Sequence, residues 1–477
     1  MNGLPLHRVS PTAAQVALVG MAVALGLLAG ADPSYGLAAA VGLSFVALLF
    51  ADYTLACGVF VVTTFLALPS AASKPIGGLL VAAWVALMAT RRNSNADNFI
   101  SRHSTISLLI IAFLAWTAAG IAWAESPGAV LTGFSRYGLN CVLFLVVYTA
   151  VKTRRNALVI TIFFVLGVAV AAGYGIISPP TFTVAGDPSR TGGTFGDPNE
   201  LAAVLVVGVL VSVAVALNRG AAPAIRIGSL GAVVLSVAGI LLSLSRGGLI
   251  AMGVALLAGV AVAGRWRALM ALLTLTVALA TVSYYAFYAS PAARLRVTQT
   301  NGNGGGSGRV DLWRVAGRMI NDHPVHGVGT DNFQISSVHY LLLPGALTRA
   351  VYIVDKPKAT HNMYLQVLAE EGFVGLGLFL AMISFSLRCF QRAWRRFRAG
   401  DDRDMEILTY ALFTGLVGFL AASFFLSEEY SKQLWLLLAL GPALLRASGA
   451  DPTASTSSPP AARPRALRPV PAGGLGR

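Results

Sequence analysis

The chain has 477 residues, of which 56% are hydrophobic and only 12% are charged, and its mean hydropathy is +0.71. A soluble domain carries about 25% charged residues. The composition therefore excludes an ordinary soluble protein and predicts an integral membrane protein with many spans. The formal net charge of +15 would suggest nucleic acid as the partner of a soluble protein. Here most of that charge lies in short loops between apolar runs, so we expect no nucleic-acid partner.

Cysteine usage adds no site. The three cysteines, Cys57, Cys141 and Cys389, all lie in or beside apolar runs. They are too few and too scattered for a disulfide framework, and they form no metal-binding spacing. We therefore interpret them as small apolar filler.

The apolar runs define the predicted fold. A run needs about 17–25 residues to cross a bilayer. Such runs lie at 12–31, 35–50, 53–69, 76–90, 104–123, 128–151, 157–178, 200–217, 224–243, 248–264, 268–288, 364–387, 406–426 and 433–447. The second to fourth are short, so we predict an all-α polytopic membrane bundle of roughly 12 to 14 transmembrane helices. The first run resembles a signal peptide, but further spans follow at once, which favours a retained helix.

These runs divide the chain into five parts. We predict N-terminal transmembrane helices over 1–103, a transmembrane core over 104–288, a large extracytoplasmic loop with short helices over 289–360, C-terminal transmembrane helices over 361–447 and a disordered tail over 448–477.

Basic residues predict the orientation of the bundle. If the N-terminus is cytoplasmic, the inner loops hold Arg91, Arg92, Arg102, Lys152, Arg154, Arg155, Arg219, Arg226, Arg265, Arg267, Arg388, Arg392, Arg395, Arg396, Arg398 and Arg403. The short outer loops 32–34 and 124–127 contain no lysine or arginine. This positive-inside pattern predicts a multi-pass protein of the inner membrane with both termini cytoplasmic. The arginines of the tail either touch anionic lipid headgroups or are simply solvated.

The long loop, 289–360, then lies outside the cytoplasm. It holds eight basic residues against four acidic ones, an excess of +4 that suggests an anionic ligand. Its glycine-rich stretch 301–308 lacks the lysine and the preceding strand of a nucleotide-binding loop. The next segment has helical spacing, with a predicted apolar stripe at Val310, Trp313, Ala316 or Gly317, and Ile320. Arg314 and Arg318 are one helical turn apart and would suit a diphosphate.

Two arginines lie within or between predicted spans. Arg136 lies in the middle of the sixth predicted span, where a charge near mid-membrane is a functional-site hypothesis by default; the alternative is that it lies nearer the outer rim and snorkels. Arg246 occupies the outer turn Ser245-Arg246-Gly247-Gly248, and we expect the two glycines to allow a sharp turn and close backbone approach. Its guanidinium could bind phosphate at the level of the lipid headgroups or serve as an ordinary interfacial anchor.

Two other outer segments carry polar groups. In Gly196-Asp197-Pro198-Asn199, either Asp197 or Asn199 is a candidate N-cap, with Pro198 in the first helical turn. This motif could also present backbone donors to a sugar. In the last outer turn, Glu428 and Glu429 could orient an arginine or a sugar hydroxyl, or could be plain solvated rim charges.

His361 is the candidate base. It follows Thr360, the expected N-cap, and opens an apolar helix in which Gly372 and Gly375 would allow close helix packing. The positive end of a helix dipole disfavours protonated imidazole, so the histidine would be neutral and able to accept a proton. Glu371 lies about 15 Å further along the helix, at roughly 1.5 Å per residue.

Taken together, the motifs resemble the O-antigen ligase family. They are Ser245-Arg246-Gly247, Gly308-Arg309 with Leu312-Trp313, Asp322-His323-Pro324 with Gly327-Val328-Gly329, and His361-Asn362 with Leu365, Glu371-Gly372 and Gly375. Gly196-Asp197-Pro198-Asn199 with Leu201-Ala202 also resembles that family and its O-antigen polymerase relatives. The resemblance covers roughly 180–440, and its most specific part runs from His361 to Gly372.

The resemblance implies a metal-independent glycosyltransferase without a cofactor. Such enzymes take a glycan from an undecaprenyl-diphosphate carrier on the outer face of the inner membrane and pass it to a lipid-linked or glycan acceptor. By motif, Arg246 and Arg309 would bind the diphosphate and His361 would act at the acceptor. The other residues predicted to bind substrate are Arg136, Arg314, Arg318, Asn199, Asn362 and Glu371. The chain departs from the family in its extra N-terminal spans, so the resemblance does not assign the acceptor.

The residues themselves agree with this chemistry. No outer Asp-x-Asp pair offers the metal site that nucleotide-sugar enzymes commonly use, so fixed arginines would have to offset the charge of the leaving group. A polymerase that extends carrier-linked repeats is the nearest alternative. A solute transporter is a more distant one, because it predicts charged sites near the midplane of broken, repeated helices, and few are visible apart from Arg136.

Overall fold

A computed structural model describes residue 30 and residues 33–66, 77–86, 103–178, 189–298, 309–341, 343–345 and 359–449. Within these ranges the protein is helical and contains no β-strand element, so the predicted all-α class is confirmed. The predicted first span, the glycine-rich stretch 301–308 and the predicted tail lie outside the described residues, apart from residues 30, 448 and 449.

The helices follow one another in this order: α1 (Pro33–Ala51), α2 (Tyr53–Thr63), α3 (Gly77–Ala86), α4 (Ser104–Ala119), α5 (Pro127–Ala150), α6 (Arg154–Ile177), α7 (Pro198–Leu217), α8 (Pro223–Leu242), α9 (Arg246–Val262), α10 (Arg267–Ser283), α11 (Pro291–Thr298), α12 (Arg309–Asp322), α13 (Phe333–Leu341), α14 (Met363–Ala399), α15 (Arg403–Ala422) and α16 (Lys432–Ala447). Single 3₁₀ turns lie at Gly120–Ala122, Gly193–Phe195 and Gly264–Trp266, and a π turn at Tyr284–Tyr288 extends α10.

Eight helices of the described part are long and apolar enough to cross a membrane: α4 with its 3₁₀ turn, α5, α6, α7, α8, α10 with its flanking turns, α14 and α15. Helices α2, α3 and α9 are apolar but shorter. The protein is therefore a multi-pass membrane protein, as the apolar runs predicted.

Two helices form the centre of the bundle. In α7 and α15, 83% of the apolar window is buried inside the protein, whereas the figure for α10 is 11%. Small residues bring neighbouring helices together, as membrane helices require: a Cβ on Gly208 of α7 would lie 2.4 Å from Val168 of α6, and one on Gly418 of α15 would lie 2.7 Å from Val206 of α7. Helices α7 and α15 therefore form a closely packed centre for the helices around them.

Helix α14 is interrupted at Gly372, which has φ 65° and ψ −170°. The segment after α12 supplies backbone partners where the helix is broken. Val328 N donates to Ala369 O at 3.0 Å, and Gly329 N donates to Glu370 O at 2.8 Å; on the other side, Phe373 N donates to Pro324 O at 2.8 Å. The break is thus satisfied by protein, which is the condition for non-helical backbone among membrane helices.

Side chains strengthen the same joint. The buried carboxyl group of Glu370 accepts hydrogen bonds from Asp331 N at 2.9 Å and Phe333 N at 3.3 Å. The Glu371 carboxyl group is equally buried and accepts one from the Thr330 hydroxyl. The two glutamates therefore fasten the segment that follows α12 to the first half of α14.

The break predicts the effect of a single methyl group. In Gly372→Ala the new Cβ would lie 2.2 Å from Val325 O, and the backbone angles fall where residues other than glycine cost about 1–3 kcal/mol. We expect the free energy of unfolding in detergent to fall by about 3 kcal/mol, or the variant to fail to accumulate.

Gly377→Ala in the same helix is the matched control, because a Cβ there meets nothing within 4 Å. It should leave stability unchanged or raise it by about 0.5–1 kcal/mol. Equal stability of the two variants would show that Gly372 does not require its glycine.

Candidate active site

The start of α7 is one wall of the candidate site. Asp197 is the N-cap, as predicted: its Oδ1 accepts hydrogen bonds from Asn199 N at 2.6 Å and Glu200 N at 3.1 Å. Asn199 Oδ1 accepts from Arg190 at 3.0 Å and from the Ser245 hydroxyl at 2.8 Å. The predicted substrate-binding residue Asn199 thus ties three chain segments together with its carbonyl oxygen.

Arg246 is the first residue of α9. Ser245 caps this helix by accepting a hydrogen bond from Gly248 N at 3.1 Å. Of the two roles predicted for the glycines, the sharp turn is wrong, because the residue with positive φ is Leu244, at 48°; the close approach is confirmed. Gly247 and Gly248 instead lie within α9, where a Cβ on Gly248 would lie 2.5 Å from Ala202 Cβ. The glycines therefore hold Arg246 against the start of α7 by close packing.

Arg309, the first residue of α12, lies in the field of both elements. Burial lowers the pKa of its guanidinium, the charge of Asp197 raises it, and the charges of Arg246 and Arg296 lower it again. These effects require all four groups to be close in space. The structure thus brings together Arg246 and Arg309, 63 residues apart in sequence, and adds Arg296 from the last turn of α11.

The predicted cation pair on α12 has other partners. Arg314 forms an ion pair with Asp311 at 3.1 Å, and Arg318 donates to Pro344 O at 2.9 Å. The apolar face of α12 also differs from the prediction. Ala316 is buried and Ile320 packs beside it, but Val310 is 41% exposed, and the face centres on Val315 and Met319. Arg296 was visible in the sequence only as one of eight basic residues in the loop.

His361 precedes α14 and does not open it. The predicted N-cap was Thr360, but the cap is Asn362, whose Oδ1 accepts from Tyr364 N at 3.0 Å and Leu365 N at 3.1 Å. His361 itself has φ 50° and is half-buried. The predicted substrate-binding residue Asn362 is therefore engaged in holding the helix start.

Three elements fix the backbone beside His361. The Trp313 indole N–H of α12 donates to Thr360 O at 3.0 Å, and Met363 N donates to Ser423 O at the end of α15 at 2.9 Å. Thr360 N donates to Gln366 Oε1 at 3.0 Å. Because Trp313 is one helical turn, about 5–6 Å, from Arg309, the helix that carries the arginine also anchors the chain next to the histidine.

Arg136 contacts a residue of the long loop, Asp331. Its guanidinium is 3.2 Å from Asp331 and 5.3 Å from the ring centroid of Tyr430, and its side chain is 51% exposed. Gly133, one helical turn earlier, allows this approach, because a Cβ there would lie 2.4 Å from Thr330. The depth of Arg136 in the membrane stays a prediction, and its contact with Asp331 is the one that the rim interpretation expects.

Two buried carboxyl groups, those of Glu428 and Glu429, belong to the surroundings of the candidate site. Glu428 and Glu429 are only 5% and 4% exposed, so the reading of solvated rim charges is wrong. Burial raises the pKa of Glu428, and the charges of Glu200, Glu429 and Asp197 raise it further. Glu428 therefore lies near Asp197, the carboxylate that also acts on Arg309. The sequence could not indicate this proximity.

The family comparison matches this part of the molecule. Residues 231–380 match the family model described as O-antigen ligase. This segment is therefore similar to the O-antigen ligase family. The match supports membership of that family, with its ligases and polymerases. No curated protein matches the chain.

The matched segment contains Arg246, Arg309, His361 and the interrupted half of α14. Asn199, Arg136 and the glutamates of the last turn lie outside its limits and reach the site through the fold. Among the described residues, no group of three His, Cys, Asp or Glu side chains could hold a metal ion.

Trp313→Phe tests the link between α12 and His361. The variant loses the N–H donor to Thr360 O and keeps an aromatic ring, so the free energy of local opening should fall by about 1 kcal/mol. Amide hydrogen exchange in α12 should become about fivefold faster. The control is Trp394→Phe, which loses an indole hydrogen bond to Glu406 at the far end of the bundle. Equal exchange of α12 in both variants would exclude the link.

Glu429 predicts a pH dependence. Burial, the largest cause, raises its pKa together with the charges of Glu370 and Asp331, from 4.5 to about 8. Its Oε2 is buried and has no hydrogen-bond partner among the described residues, which favours a protonated group in the folded protein. Because the folded state then binds one proton more than the unfolded state, Glu429 makes the folded protein more stable at low pH. This contribution is fully present below about pH 4.5 and is lost as the pH rises towards 8.

Unfolding in detergent should show this loss between pH 5 and 8 in the unaltered protein and a smaller loss in Glu429→Gln. The slopes should differ by at most about 1.4 kcal/mol per pH unit, the value for one proton. Asp52→Asn makes the same change at an exposed helix cap and should keep the original slope. An unchanged slope in Glu429→Gln would contradict protonation of this group.

Proposed function

We propose that the protein transfers a glycan from a polyprenyl diphosphate, of the undecaprenyl type, to a hydroxyl group of a lipid-linked or glycan acceptor, in the manner of an O-antigen ligase and without a metal ion. Transfer takes place at the membrane face that carries His361 and the Arg246–Arg296–Arg309 cluster. The positive-inside pattern makes this the outer face of the cytoplasmic membrane.

The proximity of Arg246, Arg296 and Asp197 to Arg309 carries the proposal. Three guanidinium groups against one carboxylate leave an excess of +2, and like charges repel one another in a half-buried setting. An anion relieves that repulsion, and a diphosphate offers several oxygens for charge-assisted hydrogen bonds from arginine. Fixed cations of this kind stabilise the negative charge that develops on a diphosphate leaving group.

His361 supplies the base. The acceptor oxygen attacks the anomeric carbon of the donor glycan, the bond from that carbon to the diphosphate oxygen breaks, and the polyprenyl diphosphate leaves. The hydroxyl proton passes to the His361 imidazole. The histidine stands just before the N-cap of α14, where the positive end of the helix favours the neutral ring that can accept this proton.

The other predicted contacts have narrower roles in this scheme. Arg136 and Arg314 are more than one-third exposed beside their carboxylate partners and could exchange them for substrate oxygens. Arg318 lies one helical turn after Arg314 on α12. Glu371, Asn199 and Asn362 are held by hydrogen bonds within the protein, so they act by fixing the backbone around the substrate.

The interrupted helix bears on the transporter alternative. A transporter uses the exposed ends of a broken helix to bind its solute. Here the chain next to Gly372 is paired with residues 324–329 instead. The paired backbone at Gly372 therefore serves as a structural link to the outer loop. This role favours a transferase over a transporter.

The test is transfer in vitro by the purified full chain, with a polyprenyl-diphosphate glycan, a panel of lipid-linked acceptors and EDTA. Arg246→Ala and Arg309→Ala should each reduce kcat by about 10²–10³-fold, the usual loss for a donor that stabilises developing charge. His361→Ala should reduce it by about 10²–10⁴-fold. Mass spectrometry of the product separates a ligase, with one extended acceptor, from a polymerase, with a ladder of carrier-linked chains.

Arg296→Ala and Arg294→Ala form a matched pair on α11. Arg296 acts on Arg309, whereas Arg294 donates to Ala289 O on its own side of the loop. Only Arg296→Ala should raise KM for the donor and lower kcat. Full turnover by His361→Ala or Arg309→Ala, or loss of transfer on removal of divalent ions, would refute the mechanism.

A further inference from the structure

A second polar site lies at the other end of the bundle. A cavity of about 380 Å³ opens between the start of α4, the last third of α14 and the end of α16. Its position along α14 separates it from the transfer site, because Arg392 follows Met363 by 29 residues, on the order of 40 Å of helix. The proposed transfer reaction makes no use of this cavity.

Three guanidinium groups line the cavity. Arg392 and Arg396 are exposed and lie one turn apart on α14. Arg446 of α16 is fixed in place, since it donates to Tyr148 O at 2.5 Å and Val151 O at 2.7 Å and stacks on the Tyr148 ring at 4.2 Å. One cation is therefore held rigidly and two can adjust to a ligand.

The carboxylates at this end of the bundle are engaged elsewhere. Their contacts are Asp402 with Arg154, Asp401 and Glu406 with Arg265, and Asp404 with the backbone N–H of Arg219. Among the described residues no acidic side chain lines the cavity. Its charge is therefore positive, and an anion is the ligand that it suits.

The remaining wall indicates which anion. The lining includes the polar residue Ser104 besides the arginines, and Phe385 and Leu445 supply apolar surface. A free phosphate would use only the polar side, whereas a phospholipid presents a phosphate together with its apolar chains. We propose that this cavity binds the phosphate group of an anionic phospholipid, with Arg392, Arg396 and Arg446 as its ligands.

Native mass spectrometry of the delipidated full chain tests the site. The probes are phosphatidylglycerol, phosphatidylcholine with the same acyl chains, and inorganic phosphate. Phosphatidylglycerol should bind at least about tenfold more tightly than phosphatidylcholine, because a headgroup without net charge gains less from arginines. The double variant Arg392→Gln/Arg396→Gln should lose about tenfold or more in affinity for phosphatidylglycerol.

The matched control is Arg388→Gln/Arg395→Gln, which removes two exposed charges from the same helix without touching the cavity. It should lose less than about threefold, the remainder of a general surface attraction. Equal losses in the two double variants would overturn the site in favour of diffuse surface charge. Equal affinity for the two lipids, or binding of inorganic phosphate without binding of phosphatidylglycerol, would overturn the lipid assignment.

Discussion

The backbone pairing between residues 324–329 and the interrupted α14 is the constraint from which the site follows. A helix broken among membrane helices leaves N–H and C=O groups that water cannot reach, and each must find a partner within the protein. The segment after α12 supplies these partners, with Glu370 and Glu371 adding side-chain bonds from the helix. The part of the long loop that follows α12 is thereby fixed to a membrane helix.

The same part of the molecule also positions the proposed catalytic groups, Arg309 and His361. Helix α12 carries Arg309 at its start, and Trp313 one turn later bonds to the chain beside His361. Because α12 is also packed on the first half of α14 through Val315, Met319 and Ala369, the arginine and the histidine share one rigid support. In the proposed reaction this support would set the separation between leaving-group charge and acceptor proton, where small errors cost rate.

The described part of the bundle uses its charges differently at its two ends. Near α7 and α9, the charges of Asp197, Arg246 and Arg296 all act on Arg309, and the buried Glu428 lies in the field of Asp197. At the other end most acidic residues are paired with arginines, and the cavity beside α14 keeps a positive lining. Both arrangements suit phosphate, one at the proposed reaction centre and one at a proposed lipid site.

The sequence by itself determined the fold class, most span positions and the residues of the arginine and histidine motifs, because hydropathy and short motifs are local properties of a chain. The helix cap at Asp197 was likewise readable from its neighbours. Only the tertiary structure showed that Arg296 lies near Arg309 and that the helix cap is Asn362, where the sequence predicted Thr360. It also showed that Glu428 and Glu429 are buried and that Gly372, predicted as a packing residue, interrupts its helix. These features depend on which distant segments satisfy the backbone and the charges, and no local pattern records that choice.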